Sequence, residues 1–270
     1  MKKILFAATL ALFASTQAFA ILGAGAHYVT NLGTLNGETE KIDIQKPGIA
    51  EISLKRDKAE VLQGIGFKAW IDVLPFVDVE ATFNMAATRY NTYLNVALDQ
   101  IGGIGGDTIK VPLEYKPEAP YNMLFDKASP IFGLFSGDLS ITYPLDFLPV
   151  IRPYAGLGIS YMGSLPIVNK KFAEDMGPDL LAALPTVDPN DPQQPDPKEA
   201  SAKIAKAFSN AITKADYKLG FGGHAIVGVR AKLPIIPIAA YANTKYYFGG
   251  NIDKKFSQGV VFEVGGGLAL

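Results

Sequence analysis

The stretch Val77 to Thr88, VDVEATFNMAAT, alternates apolar and polar residues almost one for one. A period of two marks a β-strand with one dry face and one polar face. Val77, Val79, Ala81, Phe83, Met85 and Ala87 share the apolar side, and Asp78, Glu80, Thr82, Asn84 and Thr88 share the other. The alternation recurs elsewhere. Val61, Ile65, Phe67, Ala69 and Ile71 oppose Glu60, Gly64, Gly66, Lys68, Trp70 and Asp72. Ile131, Phe135, Leu139, Ile141 and Tyr143 oppose Ser136, Asp138, Ser140 and Thr142, while Ile151, Ala155, Leu157, Ile159 and Tyr161 oppose Arg152, Tyr154, Gly156, Gly158 and Ser160. Over the whole chain the pattern predicts eight strands, at about 21–32, 59–72, 76–92, 131–143, 150–163, 217–232, 237–249 and 256–270. Each is long enough to cross a bilayer, which takes about 9–11 tilted residues.

Three segments share one layout: WIDVLPFVDVEATF (70–83), ITYPLDFLPVIRPYAGLG (141–158) and VRAKLPIIPIAAYANTKYYF (229–248) each place two strand-like runs around a Leu-Pro. Proline has no N–H to give to a ladder, so Pro75, Pro149 and Pro234 mark tight turns. Residues 33–58, 93–130 and 164–216 are long and polar by contrast, and only GNIDKK (250–255) is short. In an up-and-down sheet this puts the tight turns at one end and the long loops at the other, with both termini on the turn side. Outer-membrane barrels are built this way, with turns in the periplasm and loops outside.

TEKIDIQ and AEISLKRD (39–57) and DTIKVPLEYK (107–116) are short and charged, and are read as hairpins within the loops. If they joined the sheet the barrel would have ten or twelve strands. In the third loop, LPTVDPNDPQQPDP (184–197) is extended, and residues 198–215 predict a helix with Ile204, Phe208, Ala211 and Ile212 on one face. Asp196 is its N-cap, Pro197 its first residue and Glu199 its capping-box partner. The expectation is a lid that packs its own apolar stripe.

Composition narrows the chemistry. The 270 residues are 49% hydrophobic with net charge −1, so nothing marks a nucleic-acid partner. The chain has no cysteine, which removes disulfides and thiol catalysis, and only His27 and His224 as imidazoles, so no metal site or cofactor is expected. GGIGGD (102–107) lacks the strand-to-helix setting of a phosphate loop, and no G-x-S-x-G elbow occurs. Lys2 and Lys3, the apolar run Ile4 to Phe13 and the small-x-small Ala18-Phe19-Ala20 predict a signal peptide over 1–20, cleaved after Ala20. Residues 21–270 are then one barrel domain.

A secreted, lipocalin-like barrel would turn the apolar faces inward. Glycines on the polar faces (Gly64, Gly66, Gly156, Gly158, Gly220, Gly222, Gly228, Gly265, Gly267) suit a crowded interior instead. Tyr143, Tyr161, Tyr217, Tyr246, Phe248 and Phe256 lie near strand ends on the apolar side, as interfacial girdles do. The inverted arrangement gives a lumen with Lys68, Arg152, Arg230, Lys232 and Lys245 against Glu60, Asp72, Asp78, Glu80, Asp138 and Glu263. A first hairpin turning about Leu74 would set Lys68 opposite Glu80, and the second would set Asp138 diagonal to Arg152. Balanced charges in so narrow a barrel predict an ion-pair plug, although the inward glycines also allow a narrow water path.

IRPYAGLGISY (151–161), GFGGHAIVGVRAKLP (220–234), AAYANTKYYFGG (239–250) and VVFEVGGGLAL (260–270) resemble the small outer-membrane β-barrels of Gram-negative bacteria, the OmpA-, OmpX- and OmpW-type barrels, with no one subfamily indicated. Those families usually end in an aromatic residue read during assembly, whereas this chain ends in Leu270 with Phe262 further back. The resemblance implies an all-β, eight-stranded antiparallel transmembrane barrel in the outer membrane. It implies contact with membrane lipid and lipopolysaccharide, and with the barrel assembly machinery during insertion. The expected role is non-enzymatic, structural or in surface interaction; the alternatives are a narrow channel for small or hydrophobic solutes, or a lipid A-modifying enzyme. For the enzyme, neither histidine has an evident serine and carboxylate companion in the sequence.

Overall fold

A computed structural model describes residues 22–43, 49–74, 77–98, 108–114, 129–145, 150–165, 167–168, 170–175, 178, 182, 203–204, 206–208, 217–232, 236–250 and 252–269. The strands are β1 (Leu22–Leu35), β2 (Glu38–Ile42), β3 (Ile49–Arg56), β4 (Ala59–Leu74), β5 (Val77–Arg89), β6 (Thr92–Leu98), β7 (Thr108–Pro112), β8 (Ile131–Pro144), β9 (Ile151–Ser164), β10 (Lys218–Lys232), β11 (Ile238–Gly249), β12 (Phe256–Ser257) and β13 (Val260–Ala269). A short helix, α1, spans Lys170–Asp175.

Eight of these strands close on themselves. The ladder runs β1–β13–β11–β10–β9–β8–β5–β4, and β4 pairs back with β1. Every pairing is antiparallel. These are the eight strands that the alternation predicts. Closure leaves no unpaired ladder edge, which a bilayer requires, since lipid offers backbone groups no hydrogen bond. Pro75, Pro149, Pro234 and residues 1–20, including Ala20, lie outside the described residues. The ladders end beside those prolines all the same, at Leu74↔Val77, Pro144↔Tyr154 and Lys232↔Ala239.

The barrel is apolar outside and charged inside. Along β5, Asp78, Glu80, Thr82 and Asn84 are buried while Phe83 and Met85 are exposed. Ile65, Phe67, Leu139, Ile141, Leu157, Ile159, Phe221 and Val264 are likewise exposed. The lipocalin-like arrangement is therefore overturned, because it would need these side chains inside. From Ile151 to Tyr161 every second residue of β9 faces out. Ten rises of about 3.3 Å at a tilt near 40° make a belt about 25 Å tall, the height of a bilayer's apolar band. Tyr143, Tyr161, Tyr217, Tyr246 and Phe248 are exposed on it. Phe256 is not: it is buried and packs on Phe132 at 5.0 Å, because β12 turns inward over the barrel mouth.

At Val61 the alternation slips. Its φ of 56° is left-handed, and the β1–β4 register shifts between Asn31 and Thr34. The extra residue reverses the facing of what precedes it. Glu60 is consequently outside the lumen, exposed and paired with Lys58.

The described residues of the first two long loops hold more strand than the sequence suggested. β2, β3, β6 and β7 form a second sheet, separate from the barrel, in the order β2-β3-β6-β7. The predicted hairpins of 39–57 and 107–116 thus become strands without enlarging the barrel. Only Asn36–Gly37 separates β1 from β2, Asp57–Lys58 separates β3 from β4, and Tyr90–Asn91 separates β5 from β6. The same strands stay neighbours on both sides of two of these joints: β4 pairs with β5, and β3 with β6. The external sheet is the continuation of three barrel strands, bent at the rim, with Asp57 N–H donating to Asn91 O at the bend.

One face of this sheet, with Ile42, Ile52, Leu54, Leu94, Val96 and Val111, is buried in a core that continues into the barrel mouth through Leu35, Leu62, Phe132, Phe256 and Val261. Described residues of the third loop pack on it. Ile204, Ala207 and Phe208 are helical and buried, and Phe208 meets Phe172 of α1 edge-on at 5.6 Å. The lid expected from Ile204 and Phe208 is what the described part shows; Asp196, Pro197, Glu199, Ala211 and Ile212 lie outside the described residues.

Candidate functional site: a filled lumen under a clamped lid

Inward positions of adjacent strands converge because a barrel this narrow leaves room for little but side chains. At the turn end, Arg152 Nη1 lies 3.3 Å from Asp72 and 3.2 Å from Asp78. Arg230 lies 3.3 Å from Asp72 and 3.5 Å from Asp78, and its Nη2 donates to Glu80. The Arg230 guanidinium stacks over Trp70 at 4.7 Å, and Trp70 meets Tyr241 edge-on at 5.8 Å. Trp70, Tyr241, Ala239 and Ala269 make a small buried apolar cluster toward this end.

Above it the network continues without a break. Lys68 Nζ donates to Glu80 at 3.0 Å and to Asn243 at 2.9 Å, and lies 3.8 Å from Glu263. Glu263 accepts from Asn84 at 2.7 Å and from Asn243 at 2.6 Å, and pairs with Lys245 at 2.9 Å. Lys245 also donates to Asp138 at 2.8 Å, as does the Tyr247 hydroxyl. His27 bridges Asn84, 2.7 Å from Nε2, and Tyr241, 3.1 Å from Nδ1. Four bases (Lys68, Arg152, Arg230, Lys245) thus meet five carboxylates (Asp72, Asp78, Glu80, Asp138, Glu263), so each base touches more than one acid.

Of the eleven charged residues expected in the lumen, nine meet in this network, with different partners in detail, and Glu60 lies outside it. Lys68 bonds Glu80 diagonally, because the register sets Trp70 opposite Glu80 and Lys68 opposite Thr82. Asp138 does not approach Arg152. It stands opposite Ser160, while Arg152 lies beyond the Pro144↔Tyr154 pair, so Asp138 takes Lys245 and Arg152 takes Asp72 and Asp78. Lys232 is half-buried at the turn end.

Sequence reasoning also missed the partners of His224, which is fully buried between Ser140 at 2.8 Å from Nε2 and Ser160 at 2.8 Å from Nδ1. The signal was the inward parity of residues 140, 160 and 224, but it could not be used without the cross-strand registers. Both serines are at 0% exposure. A Ser–His pair so enclosed meets neither lipid nor water, and no carboxylate bonds the imidazole as a triad requires. Inward glycines give these side chains their space: a Cβ on Gly158 would lie 2.4 Å from the His224 ring, and one on Gly66 2.2 Å from His27.

Where the polar network meets the apolar core of the mouth there is a cavity of about 20 Å³ among Val29, Asn84, Leu134, Ser136, Tyr247 and Val261, the room of about one water. Above the mouth the lid is clamped at one residue, Val168. Val168 N–H donates to the Tyr90 hydroxyl at 3.1 Å, and Val168 O accepts from Arg56 Nη1 at 2.9 Å. Arg56 also reaches Asn36 O, at 3.1 Å from Nε and 3.0 Å from Nη2, so one buried guanidinium ties the β1–β2 and β3–β4 bends to the lid. Burial pushes the Tyr90 hydroxyl up to about 12.

Apolar belt, closed ladder and ionic interior together decide the class. The chain is a transmembrane β-barrel of the outer-membrane type. No protein-family model matches the sequence, and no curated protein matches it. Among solved structures it is similar to Ail, the attachment invasion locus protein of Yersinia pestis, at 7% identity over 92% of this chain and 96% of that chain, with a TM-score of 0.38. It is also similar to the outer membrane protein OprG from Pseudomonas aeruginosa, at 12% identity over 92% of this chain and 94% of that chain, with a TM-score of 0.43. A second Ail structure, in complex with the heparin analogue sucrose octasulfate, matches at 8% identity over 91% of this chain and 97% of that chain, with a TM-score of 0.38. The assignment to class rests on the barrel's own closure and facing.

Proposed function

We propose that the protein is a non-enzymatic, closed-lumen barrel of the Gram-negative outer membrane, with a structural role or one in surface contact through its external sheet. The observation that carries this is the continuous apolar core from the barrel mouth into the external sheet, sitting on an ionic network that fills the lumen. A channel needs a hydrated path along the lumen, and this reading is supported by the apolar packing of Trp70, Tyr241, Ala239 and Ala269 toward the turn end and of Phe132, Phe256 and Val261 at the mouth. Membrane lipid and lipopolysaccharide are the proposed partners of the exposed belt, and the barrel assembly machinery is the proposed partner during insertion. An enzymatic role has no support in Ser140, Ser160 and His224, which are enclosed.

The test is electrical. Signal-free protein is refolded, its folding is checked by a heat-dependent gel shift, and it is reconstituted in planar bilayers. Folded protein that stays silent agrees with the proposal, whereas discrete and repeatable conductance steps would overturn it in favour of the narrow channel.

A further inference from the structure

Along the seam between β5 and β8 three inward pairs stack in register: Asp78 with Thr142, Glu80 with Ser140, and Thr82 with Asp138. All six residues are buried, none more than 4% exposed. The middle pair is fully engaged, Glu80 with Lys68 and Arg230, and Ser140 with His224. The outer two pairs are not. Asp78 Oδ1, Thr142 Oγ1, Thr82 Oγ1 and Asp138 Oδ1 have no hydrogen-bond partner in the protein. These four atoms are two cross-strand couples, each one threonine hydroxyl and one carboxylate oxygen, with the strands exchanged between the couples.

The cause is visible in the other oxygen of each carboxylate. Asp138 Oδ2 is drawn across the lumen by Lys245 and Tyr247, both at 2.8 Å, and Asp78 Oδ2 by Arg152 at 3.2 Å and Arg230 at 3.5 Å. Each carboxylate therefore serves the far wall with one oxygen and leaves its second beside a threonine that it does not bond. Directly opposed residues on antiparallel strands hold their Cβ atoms about 4.5–5.5 Å apart. Two oxygens joined through one water stand up to about 5.5 Å apart, being two hydrogen bonds of about 2.8 Å. Buried polar groups are seldom left unbonded, and small polar sites of this kind hold ordered water.

We infer that the β5–β8 seam holds two internal water sites, one bridging Thr82 Oγ1 to Asp138 Oδ1 and one bridging Thr142 Oγ1 to Asp78 Oδ1. Each water donates to the carboxylate and accepts from the threonine hydroxyl. The lumen plug is then partly hydrated, with these two waters on the β5–β8 wall beside the direct ion pairs that the same carboxylates make across the lumen.

The measurement is a crystal structure of the refolded protein at a resolution that orders water, joined to water-to-protein NMR cross-relaxation on the same protein in detergent. The expected result is one density peak in each couple, within hydrogen-bond distance of both oxygens, and a long-residence water signal at Thr82 and Thr142. A direct Thr–Asp hydrogen bond in both couples, or threonines showing neither peak nor signal, would overturn the inference. Thr82→Val should abolish the signal at its own couple and leave that at Thr142 intact; a variant that removed neither would also refute it. Should Thr82→Val fail to fold, Thr142→Val serves in the mirrored experiment.

Discussion

Lys68 is the sharpest place to test whether the interior is held by ionic partners or only by volume. Its side chain has no solvent exposure and touches Glu80 at 3.0 Å, Asn243 at 2.9 Å and the Tyr241 ring at 5.0 Å. Lys68→Met keeps the length and removes the charge. Breaking a buried pair from one side costs about 3–5 kcal/mol, because the remaining charge stays buried. Glu80 keeps Arg230 and Glu263 keeps Lys245, so the lower part of that range applies, about 3 kcal/mol. Glu80→Gln should cost a similar amount, since it frees both Lys68 and Arg230. In the double variant the two losses overlap, and the total should fall short of the sum by about 1–2 kcal/mol. Trp70, the single tryptophan, is buried in the same layer and reports folding by its fluorescence in urea titrations against lipid vesicles. Equal midpoints for Lys68→Met and wild type, or strict additivity in the cycle, would refute an interior held by these pairs.

Two further outcomes test the lipid face and the clamp. Phe83 is exposed near the middle of β5, and Phe83→Arg should cost about 2–4 kcal/mol of folding stability in vesicles, as a cation does at the bilayer midplane; a neutral or stabilising effect would instead mean that this face meets water. The hydroxyl of Tyr90 should titrate near pH 12, seen as the difference in phenolate absorbance between wild type and Tyr90→Phe. Because its folded value is raised, the clamp's contribution is whole below about pH 10, the unfolded value, and is lost as pH climbs through about 12. A difference spectrum centred at 10 would place Tyr90 in water rather than under the lid.

The strands and their facing were legible because alternation depends only on neighbours along the chain, and lipid enforces it strictly. Which side of Val77 to Ala87 faces lipid needed more, the glycines on the polar faces and the aromatics near strand ends. The pairs were harder, since a contact across a ladder depends on where the hairpin turns. Lys68 and Glu80 sit one step off the expected register and still meet, because a lysine reaches the diagonal position. Asp138 and Arg152 do not meet, because the second hairpin turns farther along than assumed and Arg152 lies eight residues along β9 from Ser160, the residue opposite Asp138. Glu60 was misplaced by one left-handed residue, Val61, whose β-branched side chain gives no warning of a bulge. Phe256 carried the composition of a girdle residue but belongs to a strand that folds over the mouth. The external sheet was hidden for another reason. Its strands are short and charged on their outer face, and what makes them strands is the apolar lid packed on the other.

The bends at the rim carry a mechanical consequence. Because β1 and β2, β3 and β4, and β5 and β6 are each one backbone interrupted by two residues, tension applied to the external sheet passes along strand axes into the barrel wall. There it loads rows of ladder hydrogen bonds together, in shear, instead of peeling them one at a time. Whatever grips this sheet from outside the cell would pull on the whole cylinder, and through its belt on the membrane itself.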